Sequence, residues 1–254
     1  MNHFLSLLLL LTLNYGFSQT ILIKEKELMR DFKRINYWND SLAKKDLQNT
    51  EDSLDEVGVI FKNNLLAFTG TNPQTMSYNF QGLKNLGLHI AHTPDGNFKI
   101  YSWEAKSKNG TKYVEAIYQY KLNRKIFSAP KIKEKESDPG FICDEIFTIK
   151  VNILTTYIAY YKGVYTDTTK AIQLKAYELH DTGFKDEIPF FKSKTSFDNE
   201  INLTFDIQKS KIPEYDWVIY DEEKRNITVP VVNEEGVLLK RKTSYKFNGR
   251  CFEK

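Results

Sequence analysis

The sequence predicts an α+β protein: an N-terminal helical hairpin packed on a β-rich antiparallel meander, a sandwich or an open barrel. Three observations predict it. Apolar residues recur at spacings of three and four over residues 21–69, beyond Leu88 the spacing falls to two, and Pro94-Asp95-Gly96 sits where the period changes. That tripeptide combines a fixed φ, a self-bonding acceptor and a residue tolerant of positive φ, the chemistry of a tight turn. It joins the apolar Leu88 and Ile90 to a run in which Phe98 and Ile100 alternate with Lys99 and Tyr101.

Residues 1–18 read as a signal peptide. Phe4 to Leu13 is an apolar core too short to span a bilayer, and Gly16 and Ser18 supply the small residues of a cleavage site before Gln19. Met1-Asn2-His3 departs from the pattern in lacking Lys or Arg. No Cys adjoins the cleavage point, which argues against a lipoprotein, and no later run has the length of a membrane helix. The expectation is a mature chain, residues 19–254, that is periplasmic or secreted and has no transmembrane segment.

Within residues 19–87 two helices are predicted. Leu28, Phe32, Ile35 and Leu42 mark the apolar face of the first, and Leu54, Val57, Phe61, Leu65 and Phe68 that of the second. Ser53-Leu54-Asp55-Glu56 reads as a capping box, Gly70 and Pro73 as stop signals, and Gln81 to Leu86 as one further helical turn. Both stripes need a partner, so residues 19–254 are expected to be one folding unit.

Residues 88–254 read as about ten strands joined by short turns. After the first hairpin, Asn109-Gly110 leads into Lys112–Tyr120. Ser137-Asp138-Pro139-Gly140 separates Ile126–Lys133 from Glu145–Val151, and Thr166–Thr169 separates Thr155–Val164 from Ala171–Leu179. Ile201 to Gln208 alternates without an error, which predicts one dry face and one wet one. Trp217–Tyr220, Ile227–Val232 and Val237–Phe247 close the chain. Its texture is that of propeller blades, but the strands are too few for a closed propeller.

The Pro-Asp-Gly hairpin leading into Ile100-Tyr101-Ser102-Trp103, with a closing Tyr245-x-Phe247-x-Gly249, resembles an uncharacterised family of secreted bacterial proteins. The resemblance implies export and a helical part followed by an antiparallel meander, and no activity.

Composition excludes some functions. Hydrophobic content of 41% and charged content of 27% are those of a globular protein, and 14% aromatic suits half-buried strands. A net charge of +3, densest at Lys240-Arg241-Lys242, makes no concentrated basic face, so no nucleic-acid partner is expected. Cys143 and Cys251 are the only cysteines, and export makes a disulfide permissible. It would be worth about 4–5 kcal/mol in the chain-entropy model, and two separate buried thiols are the alternative.

No nucleophile elbow, zinc-protease motif, Walker loop or dinucleotide fingerprint occurs, so neither catalytic residues nor a cofactor is assigned. His89 and His92 fall on opposite faces of a strand, which speaks against a shared metal. Tyr101, Trp103, Tyr118, Tyr120, Tyr160, Tyr161 and Trp217 could stack on a sugar or peptide, although burial in a core is the better explanation, since aromatic rings bury large areas and a meander needs them. The charged loop Asp221 to Asn226 reads as a solvated turn. The first functional expectation is an exported, non-enzymatic module that binds a partner protein or a glycan. The alternatives are an exported hydrolase with carboxylates paired among Glu104, Asp144, Glu145, Asp216 and Asp221, or a structural subunit of an envelope assembly.

Overall fold

A computed structural model describes residues 20–40, 50–106, 112–131, 140–151, 154–166, 168–180, 183–210, 212–213 and 217–254. The expected signal peptide and Leu42 lie outside these residues. The helices appear where the 3.6-residue spacing places them. α1 covers residues 20–40 and α2 covers Thr50–Thr71, starting a turn before the predicted capping box. A 3₁₀ turn, Pro73–Met76, and the single-turn helix α3, Gln81–Lys84, lead into the sheets. No described helix is long and apolar enough to cross a membrane.

Fifteen strands follow among the described residues, in three sheets. β1 (His89–His92), β2 (Phe98–Lys106), β3 (Lys112–Leu122) and β4 (Lys125–Pro130) form the first sheet, antiparallel and in chain order. The second contains β5 (Ile142–Val151), β6 (Leu154–Val164) and β7 (Thr169–His180), with β8 (Gly183–Lys185) on the end of β7. β9 (Phe191–Lys192) and β10 (Phe197–Asp198) precede β11 (Glu200–Asp206), which completes the second sheet in the order β11-β7-β6-β5. The third sheet runs β10-β9-β15-β14-β13-β12, with β12 (Ile219–Asp221), β13 (Asn226–Val232), β14 (Leu238–Phe247) and β15 (Phe252–Glu253). One pair, β9 with β15, is parallel. β8, β9, β10 and β15 have two or three residues each, too few to show a period of two, and so escape sequence reading.

Side-chain alternation stacks these elements in layers. Tyr101, Trp103 and Ile117 of the first sheet face the helices, where they meet Leu28, Phe32, Val57, Phe61, Leu65 and Phe80. Phe98, Ile100 and Tyr118 face the second sheet and meet Tyr157, Ala159, Tyr161 and Tyr177. The opposite face of the second sheet, with Ile158, Tyr160, Ile172, Leu174 and Phe205, packs on Phe190, Trp217, Ile227 and Phe252 around the third sheet. The expected meander is therefore a three-sheet stack with the helical hairpin on one outer face. Cys143 lies in the core between the first and second sheets and Cys251 in the core between the second and third, so the permissible disulfide does not form.

The face of the first sheet under the helices also carries polar residues. Lys99 and Gln119 are buried there, because the hairpin covers a face that the alternation of β2 would leave wet. Lys99 Nζ donates to the carbonyls of Thr75 (2.9 Å) and Tyr78 (2.7 Å). Gln119 Nε2 donates to the Thr69 carbonyl (2.6 Å), at the end of α2, and to Thr75 Oγ1 (2.6 Å), while its Oε1 accepts from the Tyr101 hydroxyl (2.7 Å). A helix end leaves carbonyls without intrahelical partners, and away from water they require donors. A second polar link joins α1 to α3. Phe80, the residue before α3, has no capping atom, and buried Glu25 of α1 accepts from the Gly82 (2.9 Å) and Leu83 (3.4 Å) amides instead. Phe80 itself has φ of 49°, a left-handed conformation costly for a bulky residue, while its ring packs against Phe68, Tyr78 and Tyr101.

Two measurements check this packing. Deleting residues 19–69 exposes Tyr101, Trp103 and Ile117 together, and the remnant is expected to be insoluble or molten; a soluble remnant with the same cooperative melt contradicts the layered account. The second concerns Lys99, whose amine is pushed down to about 8 by burial and by the nearby Lys84 charge. Between that value and the unfolded value of about 10.4 the unfolded chain binds the extra proton, so this group makes stability rise with pH. Buried Cys143 and the buried tyrosines, all raised, pull stability down above about pH 8.5 and 10 respectively. They are common to the wild type and Lys99→Met. The difference between the two urea-denaturation curves should therefore rise from pH 8 to 10 in favour of the wild type, on the order of 1–3 kcal/mol.

Candidate functional site

The Pro94–Gly96 turn is built by its own side chains. Thr93 N–H donates to the Phe98 carbonyl (2.9 Å), Gly96 N–H to the Thr93 carbonyl (3.0 Å), and Gly96 takes the positive φ of 68° that the turn requires. Asp95 Oδ1 accepts from Thr93 Oγ1 and from the Asn97 amide (3.0 Å). Its Oδ2 accepts from the Tyr157 hydroxyl of β6 (2.9 Å), so the turn of the first sheet is tied to the second. Burial alone would raise this carboxyl, but the hydrogen bonds from Thr93, Asn97 and Tyr157 outweigh it and hold the group below its ordinary range.

Beside this turn runs β5, the last strand of the second sheet. A bulge between Cys143 and Glu145 displaces Asp144, which pairs with Lys162 (2.7 Å), and the Cys143 amide donates to Ser102 Oγ of β2 (3.1 Å). From Glu145 to Val151 the strand is in regular register with β6. The third sheet contributes its own last strand, β12, and the turn after it. Together these elements line a cleft of about 1020 Å³. One side is Pro94 and Asp95, another is residues 145–150, and the third is Val218–Tyr220 with Glu222, Glu223 and Arg225. The Phe147 and Tyr220 rings contact each other at 4.7 Å between centroids, and Ile219 is exposed at the rim.

The cleft is acidic. Asp95, Glu145, Glu222 and Glu223 outnumber Lys150 and Arg225, and Glu145, Glu222 and Glu223 form no ion pair among the described residues. The Glu145 carboxyl is raised by burial and by the neighbouring Asp144 charge, against the lowering effect of Lys162.

Of the five carboxylates singled out in the sequence, only Glu145 lines this cleft. Glu104 is exposed on β2, Asp144 is paired with Lys162, Asp221 is paired with Lys224 (2.8 Å), and Asp216 lies outside the described residues. Six of the seven strand aromatics, all but Tyr120, are buried in the layered cores and form no open platform. His89 and His92 are exposed, and among the described residues no three His, Cys, Asp or Glu side chains gather as a metal site. Sequence reading missed the cleft because strand order is not visible in it. The regular, Pro- and Gly-free run Glu145-Ile146-Phe147-Thr148-Ile149-Lys150 is the available signal, but nothing in the run says that its far side is unpaired.

No family model, no curated protein and no solved structure matches this chain.

The Asp95 clamp has a pH signature. A carboxyl lowered by folding stabilises fully above its unfolded value, about 3.9, and loses that contribution as pH falls through the folded value. Asp95→Asn should therefore be destabilised at pH 7 by about 1 kcal/mol, a modest figure because the turn is exposed to solvent screening. Its deficit against the wild type should shrink as the pH falls below about 3.9. A deficit constant from pH 7 to pH 2 would contradict the charge-assisted clamp.

Proposed function

We propose that the mature chain is an exported, non-enzymatic module that holds a partner protein in the cleft between β5 and β12. The supporting observation is the cleft itself, in which the last strands of two stacked sheets face a common space of about 1020 Å³. Export rests on the apolar segment and small-residue site of residues 1–18. A protein partner is favoured over a glycan, since the strand aromatics that would stack on sugar rings are almost all buried and Tyr220 is the one half-buried aromatic ring in the lining.

Placing a photo-crosslinking side chain at Ile219 in the full chain, expressed in its native host, tests the reading. A discrete adduct is expected from Ile219 and absent from the same substitution at Glu234, on the turn between β13 and β14, and Tyr220→Ala should remove it. Identical products from both positions would overturn it.

One observation favours a second reading, the hydrolase with paired carboxylates: lowered Asp95 and raised Glu145 line the same cleft. Against it, both oxygens of Asp95 are already engaged by Thr93, Asn97 and Tyr157. Hydrolysis of a chromogenic glycoside panel by the wild type that is lost in Glu145→Gln at unchanged stability would establish this reading.

A further inference from the structure

We propose that the cleft takes an extended peptide segment of about six residues bearing basic side chains, added to the second sheet as a strand alongside β5. This rests on the reading of the cleft as a partner-binding site and names what it binds. A terminal strand presents a row of unpaired backbone N–H and C=O groups, and proteins usually blunt such edges with bulges, charges or cover. In β5 those devices sit at the ends, the bulge at Cys143/Glu145 and the charge of Lys150. Between them Ile146-Phe147-Thr148-Ile149 is regular and uncharged, and among the described residues no strand pairs with its outer side.

The space beside this edge is large enough for a strand. Six residues of strand in a stacked sheet fill a slab of about 20 × 5 × 10 Å, or roughly 1000 Å³. The cleft holds about 1020 Å³, and its two sides belong to the neighbouring layers, Pro94–Asp95 of the first sheet and Val218–Tyr220 of the third. An edge recessed between two such rims cannot reach the same recessed edge on a second copy, which favours a single segment over a β5-to-β5 dimer. Charge selects the segment: Glu145, Glu222 and Glu223, none ion-paired among the described residues, favour Lys or Arg at positions whose side chains reach the rims. Phe147 and Tyr220 offer apolar contact to the residues between.

The test uses the whole mature protein and fluorescein-labelled heptapeptides that alternate lysine with valine. Controls are the glutamate–valine counterpart and two forms N-methylated at alternate residues, one for each hydrogen-bonding frame. The lysine peptide should bind, shifting the amide resonances of residues 145–150 and 218–220. One N-methylated form should bind about tenfold more weakly, because methylation removes several backbone hydrogen bonds and leaves the side chains intact. The glutamate peptide should not bind, and Glu145→Lys/Glu223→Lys should weaken the lysine peptide. If both N-methylated forms bind as well as the parent at these same residues, strand addition is wrong while the cleft remains a binding site. If the glutamate peptide binds equally, the charge argument is wrong. If no peptide perturbs the cleft, or if sedimentation shows a dimer that shields residues 145–150, the inference fails; an adduct still formed from Ile219 then leaves the binding module standing with another kind of partner.

Discussion

The carbonyl groups at the end of α2 and in the turn that follows must find donors away from water, and the first sheet supplies them. Gln119 reaches Thr69 and Lys99 reaches Thr75 and Tyr78, so the helical hairpin is located on the sheet by directed bonds as well as by its apolar stripe. Apolar packing of Phe61 on Trp103 and Phe32 favours burial but allows sliding. The hydrogen bonds set the position along the strands. A buried ammonium is a costly donor, and its rings and carbonyls compensate: Nζ lies 5.6 Å from the centroids of both Phe80 and Tyr101. The strained Phe80 backbone is maintained by the same neighbourhood, since relaxing it would withdraw the ring from Lys99, Tyr78 and Tyr101.

The second interface is organised differently. Between the first and second sheets the Tyr118 and Tyr161 hydroxyls both hydrogen-bond Tyr177 (3.1 and 2.7 Å), and the Phe98 and Phe184 rings fill the space beside them. These polar tips are satisfied by one another, so aromatic bulk is buried without stranding a hydroxyl. Asp95 and Tyr157 extend the same device to the rim, where it meets the cleft. The wall of the candidate site is thus a continuation of an interlayer core, which accounts for its definition.

Much of this architecture is legible in the sequence, and the rest is missing for identifiable reasons. The stripes through Phe32 and Phe61 and the turn at Gly96 announce themselves because helix period and positive φ are local properties. Lys99 is misread because alternation assumes a wet face, and the first sheet has none beneath the hairpin. The cleft depends on which strands end their sheets. That property belongs to β5 and β12 only after residues far apart in the chain have paired, and neither Ile146-Phe147-Thr148-Ile149 nor Val218-Ile219-Tyr220 carries a mark of it. Cys143 and Cys251 could not be placed from spacing for the same reason: the sheet that separates them is assembled from the residues between them.

That separation gives the molecule two built-in reporters. Each thiol is sealed in a different interlayer, so neither can meet a labelling reagent until its own pair of sheets parts. Modification rates at Cys143 and Cys251 would then resolve two opening free energies within one chain, one for each seam, where a melting curve returns a single value. Because no covalent bond crosses the middle sheet, both seams keep their strength in reducing and oxidising surroundings alike.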